Sequence, residues 1–288
     1  MNMKTLLLGA AASVAIAPAA FGAAHEGERG RDGEVKVIYW QAPSIMTPYL
    51  SGGTKDLEAA SLVLEPMGRY DETGALVPYL ATEIPTVENG GVAEDLKSIT
   101  WKLKEGLVWS DGTPVTSADL KFTAEYCMHP EGGCAQASKF DGVESIDIVD
   151  DLTVTVHFTD AKPNPYGPFM GAQSPIIQAA QFKDCLGAKA PECTEANFNP
   201  IGTGPFRVTD FRPNDVIQME ANPNYRDPSK PAFATLTLKG GGDANAAGRA
   251  VMETGEYDYA WNMQLAPDVL AKMAEGGKGQ AISAFGTL

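Results

Sequence analysis

Residues 199–211, NPIGTGPFRVTDF, place two glycines and a proline directly ahead of an alternating apolar pattern. Gly202 and Gly204 permit a close backbone approach that a side chain would block. Pro205 fixes its own φ and removes a backbone donor. A phosphate cradle needs consecutive free N–H groups, and the stretch has neither the lysine nor the glycine spacing of a nucleotide loop. It predicts a tight turn that feeds a strand. A second glycine run, GGGDANAAGRA (240–250), also lacks the Gly-Lys-Ser/Thr ending and reads as a tight strand-to-helix crossing.

The rest of the chain mixes strand and helix periods throughout. EVKVIYW (34–40), VIQMEAN (216–222) and FATLTLKG (233–240) read as strands, and YDYAW (257–261) as a short one. SITWKLKE (98–105) alternates, with Ile99, Trp101 and Leu103 on one face. LTVTVHF (152–158) repeats the pattern, with His157 on the polar side as a surface residue. TKDLEAASLVLEP (54–66) reads as a helix capped by Thr54, with Asp56 and Glu58 at its positive end. SPIIQAAQFKDCLG (174–187) reads as a helix with Ser174 as cap, Pro175 in the first turn and Gly187 as the stop. Residues 244–255 and 266–277 also read as helices, and the charged start, 25–33, as a frayed end.

The first 24 residues carry Lys4, an apolar run from Leu6 to Ala17, and a stretch in which cleavage after Gly22 or Ala24 would leave small residues at both key positions. This is the pattern of a cleaved secretory signal peptide, and the run is shorter than the ~20 residues of a membrane span. No twin arginine precedes it and no cysteine stands at the cleavage point, so the expectation is export without a lipid anchor. Asp plus Glu number 37 against 22 Lys plus Arg, a net charge of −15, which argues against nucleic acid and anionic lipid as partners.

Cys127, Cys134, Cys185 and Cys193 form two close pairs. In an oxidising compartment local pairing is the simplest of the three connectivities, giving Cys127–Cys134 and Cys185–Cys193. A metal site is the competing reading, with His129 between one pair, but zinc sites favour tighter Cys-x-x-Cys spacing. The three histidines are scattered, and His-Glu-x-x-His, Gly-x-Ser-x-Gly and Ser-x-x-Lys are all missing. The residues themselves mark no catalytic group, and the expectation is no cofactor and no metal. A secreted hydrolase with an unmarked carboxylate pair is the alternative from another class.

PIGTGPFRVTDFRPNDVIQMEANPNYRDPSKP (200–231) resembles the central signature of the family 5 extracellular solute-binding proteins, the dipeptide-, oligopeptide- and nickel-binding components of bacterial ABC importers. SITWKLKEGLVWSDGTPVTSADLKFTAEY (98–126) resembles the family's other hallmark, in which a strand leads through an Asp-Gly-x-Pro turn to a capped helix. Here Asp111 and Gly112 make the turn, and Thr116 with Asp119 can form a capping box. METGEYDYAW (252–261) and LVLEPMGRYDETGALVPYLATE (62–83) are weaker matches. These motifs are structural and identify a scaffold more than a ligand.

The resemblance implies an α/β fold of the periplasmic binding protein type: class II, two-lobed, with an extra inserted subdomain. It divides the chain into a signal peptide (1–24), a first lobe (25–70 and 200–246), an inserted subdomain (71–199) and the start of a second lobe (247–288). Family members are much longer, so the second lobe is expected to be incomplete here. The implied function is periplasmic capture of a peptide or small solute and delivery to the importer's permease subunits in the inner membrane, by a monomer. Other members of such a fold would take a nickel chelate, heme, an oligosaccharide or an opine. Ligands of open α/β sheets sit off the carboxyl ends of the strands. That rule selects Trp40 and Gln41 after the first strand, Trp261, Asn262 and Gln264 after the strand at 257–261, and Gln173 ahead of a helix start.

Overall fold

The computed structural model describes residues 27–263, 265–276 and 278–282. The segment read as a signal peptide lies outside them, as does Gln264. The chain opens with β1 (Glu34–Tyr39) and α1 (Thr54–Ala60), then β2 (Gly68–Tyr70) and β3 (Leu76–Pro78). Next come β4 (Ser98–Lys102), α2 (Ser117–Met128), β5 (Val143–Asp150) and β6 (Thr153–Phe158). Two short helices, α3 (Ala179–Phe182) and α4 (Thr194–Phe198), lead to β7 (Phe206–Arg212), β8 (Val216–Ala221) and β9 (Thr235–Gly240). The last elements are α5 (Ala244–Met252), β10 (Tyr259–Trp261) and α6 (Pro267–Glu275).

Five strands form one mixed sheet in the order β10-β1-β9-β8-β7. β9, β1 and β10 are mutually parallel, and β7 and β8 complete the sheet as antiparallel neighbours. Tyr39, Val208, Ile217, Met219, Leu236 and Leu238 from this sheet pack with Met46, Ala59 and Val63. β10, which lies in the span expected to open a second lobe, pairs with β1 at the edge of this sheet. Asp258 fixes it there: its carboxylate accepts from the Lys36 N–H at 2.8 Å, and its own N–H donates to the Lys36 carbonyl.

A three-stranded antiparallel sheet, β4-β6-β5, carries the second core with α2. Ile99, Trp101 and Leu103 are all buried, as the alternation predicts. β5 was not legible in the sequence because most of its residues are exposed and its pattern does not alternate cleanly. Segment 59–67 serves both cores: Ala59 and Val63 face the five-stranded sheet, whereas Leu64 and Met67 enter the other. Thr116 and Asp119 form the expected capping box of α2, and Asp119 also accepts from Trp109 Nε1 and the Ala179 N–H. Both disulfides have the expected local connectivity, with Cα separations of 5.2 Å for Cys127–Cys134 and 5.8 Å for Cys185–Cys193.

Three local expectations are corrected. The predicted helix at 174–187 shrinks to the four residues of α3, because tertiary partners take the groups a helix would need. Tyr49 donates to the Pro175 carbonyl, the Ile176 N–H to Glu65 O, and the Ile177 N–H to Thr123 Oγ1. Ser174 accepts from the Phe169 N–H instead of capping a helix. α1 begins at Thr54 with Gly53 as its cap and stops at Ala60, because the carbonyls of Leu62 and Val63 accept from Phe206 and Gly204. The start of the chain is held from residue 29 onward. The Arg29 guanidinium donates to the carbonyls of Pro223, Tyr225, Asp227 and Lys230, a fork that lysine could not reproduce.

The opening glycines are scaffold. A Cβ on Gly202 would lie 1.9 Å from the Val63 carbonyl oxygen, and one on Gly204 2.6 Å from that of Leu62. The signature also binds the other hallmark: Ser110 donates its N–H to Gly202 O, and Asn224 Nδ2 donates to Ser110 O at 3.1 Å. The two sequence motifs are two sides of one joint.

Candidate functional site

Parallel strands that share a sheet end on the same edge. In register, Tyr39 of β1 lies opposite both Gly240 of β9 and Trp261 of β10. The residues that follow each strand therefore gather on one rim: Trp40 and Gln41 after β1, Gly241 to Asp243 after β9, and Asn262 after β10. The backbones run so close that a Cβ on Gly240 would meet Ala42 Cβ at 2.3 Å, and one on Gly241 would come within 2.9 Å of Ile38. That crowding explains the glycine run as the tight crossing expected of it. Asp243 then caps α5 by accepting from the Ala246 N–H at 2.8 Å. Its carboxylate occupies the helix end where an anion would otherwise be held.

Trp261 is half-buried and stacks on Tyr39, with ring centroids 4.5 Å apart and an interplanar angle of 23°. Burial, then the nearby Glu58 and Tyr259, raises the Tyr39 phenol, so it stays a neutral hydroxyl. Trp40 is half-buried, and its indole Nε1 is buried with no hydrogen-bond partner among the described residues. Such a donor is costly unless something accepts from it. Gln41 and Asn262 are exposed, and Asn262 holds φ = 54°, a left-handed conformation that asparagine tolerates better than most residues.

Four of the six candidates are thus brought together at the rim: Trp40, Gln41, Trp261 and Asn262. Gln173 is exposed on a separate loop whose neighbours Gly171 and Ser174 bond to Gly68 and Phe169. Gln264 lies outside the described residues. The rim offers aromatic faces and amide groups, which are the means of binding a solute. Among the described residues no group of three His, Cys, Asp or Glu side chains is placed to hold a metal ion.

The sequence reading passed over one polar cluster. Glu65 is fully buried, accepts from Thr203 Oγ1 at 3.0 Å and pairs with Arg226. Burial pushes its carboxyl up, and the bonds from Arg226 and Thr203 oppose that. The Arg226 guanidinium also lies 4.8 Å from the Tyr79 ring centroid, with Arg69 at 4.0 Å from the same ring. A carboxylate in the apolar run LVLEP (62–66) was the available signal.

The family model for bacterial extracellular solute-binding proteins, family 5 (Middle), matches residues 75–286. The chain belongs to this family. A putative ABC transporter peptide-binding protein of Brucella ovis is 26% identical over 174 residues, covering 59% of this chain and 31% of the relative. The glutathione-binding protein GsiB of Pectobacterium atrosepticum is 22% identical over 216 residues, covering 75% of this chain and 39% of GsiB. The solved structure of the oligopeptide-binding protein AppA from Bacillus subtilis, in complex with a nonapeptide, superposes with a TM-score of 0.72 at 21% identity. It covers 87% of this chain and 47% of AppA. This family 5 chain therefore has the class II periplasmic-binding-protein fold, and it spans less than half the length of these relatives.

Proposed function

We propose that this family 5 protein is the solute-capturing component of an ABC importer. It holds a peptide or similar small solute in the periplasm, free of a lipid anchor, and delivers it as a monomer to permease subunits in the inner membrane. The observation that carries the reading is the rim where three parallel strands end together and where the buried Trp40 donor has no partner among the described residues. In this reading Trp40 and Trp261 form aromatic walls, Gln41 and Asn262 offer amide hydrogen bonds, and Gln173 and Gln264 extend the contacts. Residues 71–199 form the subdomain inserted into a first lobe, and closure of a second lobe over the rim would complete the cleft. The peptide class rests on the names of the relatives.

The test is native mass spectrometry of protein purified from the periplasm, followed by calorimetric titration with di-, tri- and nonapeptides. A retained peptide-mass adduct and micromolar or tighter peptide binding are expected. An adduct of a metal chelate, heme, sugar or opine, with no peptide binding, would overturn the peptide assignment. Turnover of a substrate would overturn the transport role.

A further inference from the structure

A concavity of about 290 Å³, lined by Tyr70 and by residues between 138 and 170, shares no lining residue with the strand-end rim. Lys139 and Lys162 both line it, together with Tyr70, Ser138, Asp141 and Tyr166. Neither of these lysines makes an ion pair among the described residues, even though Asp141 lines the same cavity.

The walls are fixed in place. Tyr166 donates its hydroxyl to Pro85 O at 2.7 Å and packs edge-on against buried Trp101. Gly167 lets this wall close on the Lys139 backbone, since a Cβ there would lie 2.4 Å from Lys139 O. Lys162 lies over Gly142, whose φ is +76°, and a Cβ at that position would come within 3.0 Å of Lys162 Cε. Tyr70, also in the lining, leaves 54% of its surface exposed, so its ring face is open to a ligand.

We infer that this cavity is a second ligand site, one that takes a small organic carboxylate with a planar apolar body. The carboxylate would sit between the ammonium groups of Lys139 and Lys162, with the Ser138 hydroxyl as an added donor. The body would lie against the rings of Tyr70 and Tyr166. The volume is at the lower end for small-molecule sites, which limits the ligand to roughly the size of one substituted ring.

The test titrates the unaltered protein with benzoate and, separately, with its neutral counterpart benzamide, followed by ¹H–¹⁵N chemical shifts. Benzoate is expected to shift amides around residues 138–142 and 162–167, and to bind at least tenfold more tightly than benzamide. The double variant Lys139→Gln/Lys162→Gln is expected to lose at least tenfold in benzoate affinity while peptide binding at the rim is unchanged. Added salt should weaken benzoate binding and leave benzamide unaffected. Equal binding of benzoate and benzamide by the unaltered protein would overturn the proposal. So would shifts confined to other parts of the chain, or a folded double variant that keeps its benzoate affinity.

Discussion

A methyl group on Gly202 would stand 1.9 Å from the Val63 carbonyl oxygen, and both partners are backbone, so neither can swing away. Gly202→Ala is expected to lower stability by about 1–3 kcal/mol, the range of overpacked interiors, read as a shift in urea midpoint at constant slope. Asp56, 2% exposed, tests the charge of a single group. Burial pushes its carboxyl up, but hydrogen bonds from Lys55, Ser44 and Ser51 outweigh that and hold it below the usual 3.8. A carboxyl depressed in the folded state contributes stability above its unfolded pKa and loses it as pH falls through the folded one. Asp56→Asn should therefore cost about 1–3 kcal/mol at pH 7, and the gap from the unaltered protein should close below about pH 3.8. A gap that stays constant from pH 7 to pH 3 would show that the charge of Asp56 contributes nothing.

At the scale of elements, α2 and its neighbours are held by a cap and two covalent loops. Asp119 accepts from Thr116, Trp109 and Ala179, so it joins the start of α2 to the start of α3 as well as capping. Asp119→Ala is expected to cost more than the ~1 kcal/mol of an ordinary cap, and thermal unfolding of the variant would measure the excess. Each disulfide closes a short loop, with sequence separations of 7 and 8. Replacing Cys127 and Cys134 by serine should lower stability by about 2–3 kcal/mol by the chain-entropy model, while amide exchange in β7, β8 and β9 remains slow. Rapid exchange throughout those strands would mean that the two cores unfold as one unit.

For the molecule as a whole, the five-stranded sheet and the core of β4, β5, β6 and α2 meet at segment 59–67, where Ala59 and Val63 enter one core and Leu64 and Met67 the other. The rim lies on the sheet side of that joint. Trp261→Ala removes both a proposed ligand wall and the stack on Tyr39. It should weaken peptide binding at least tenfold and cost about 1–3 kcal/mol of stability from the lost ring packing, with the protein still folded by circular dichroism. Normal peptide affinity in a folded variant would remove Trp261 from the site.

The sequence alone determined most of the strands, because alternation records which face is buried, and both disulfide pairings, because short loops close most readily. It also marked the turn at Asp111–Gly112, the α2 cap and the family, all carried by residues whose local chemistry allows few substitutes. Four rim residues were legible from the rule that ligands sit at strand ends. Tertiary structure decided what local signals could not. It kept Ser174–Gln178 out of a helix by giving its backbone groups distant partners, and it ended α1 early because the N–H groups of Gly204 and Phe206 take the carbonyls beyond it. It seated β10 beside β1, and it placed Gln173 on a loop apart from the rim. In each case a contact between residues far apart in sequence outweighed the preference of the segment itself, because a helix or strand gains more from a buried partner than from its own propensity.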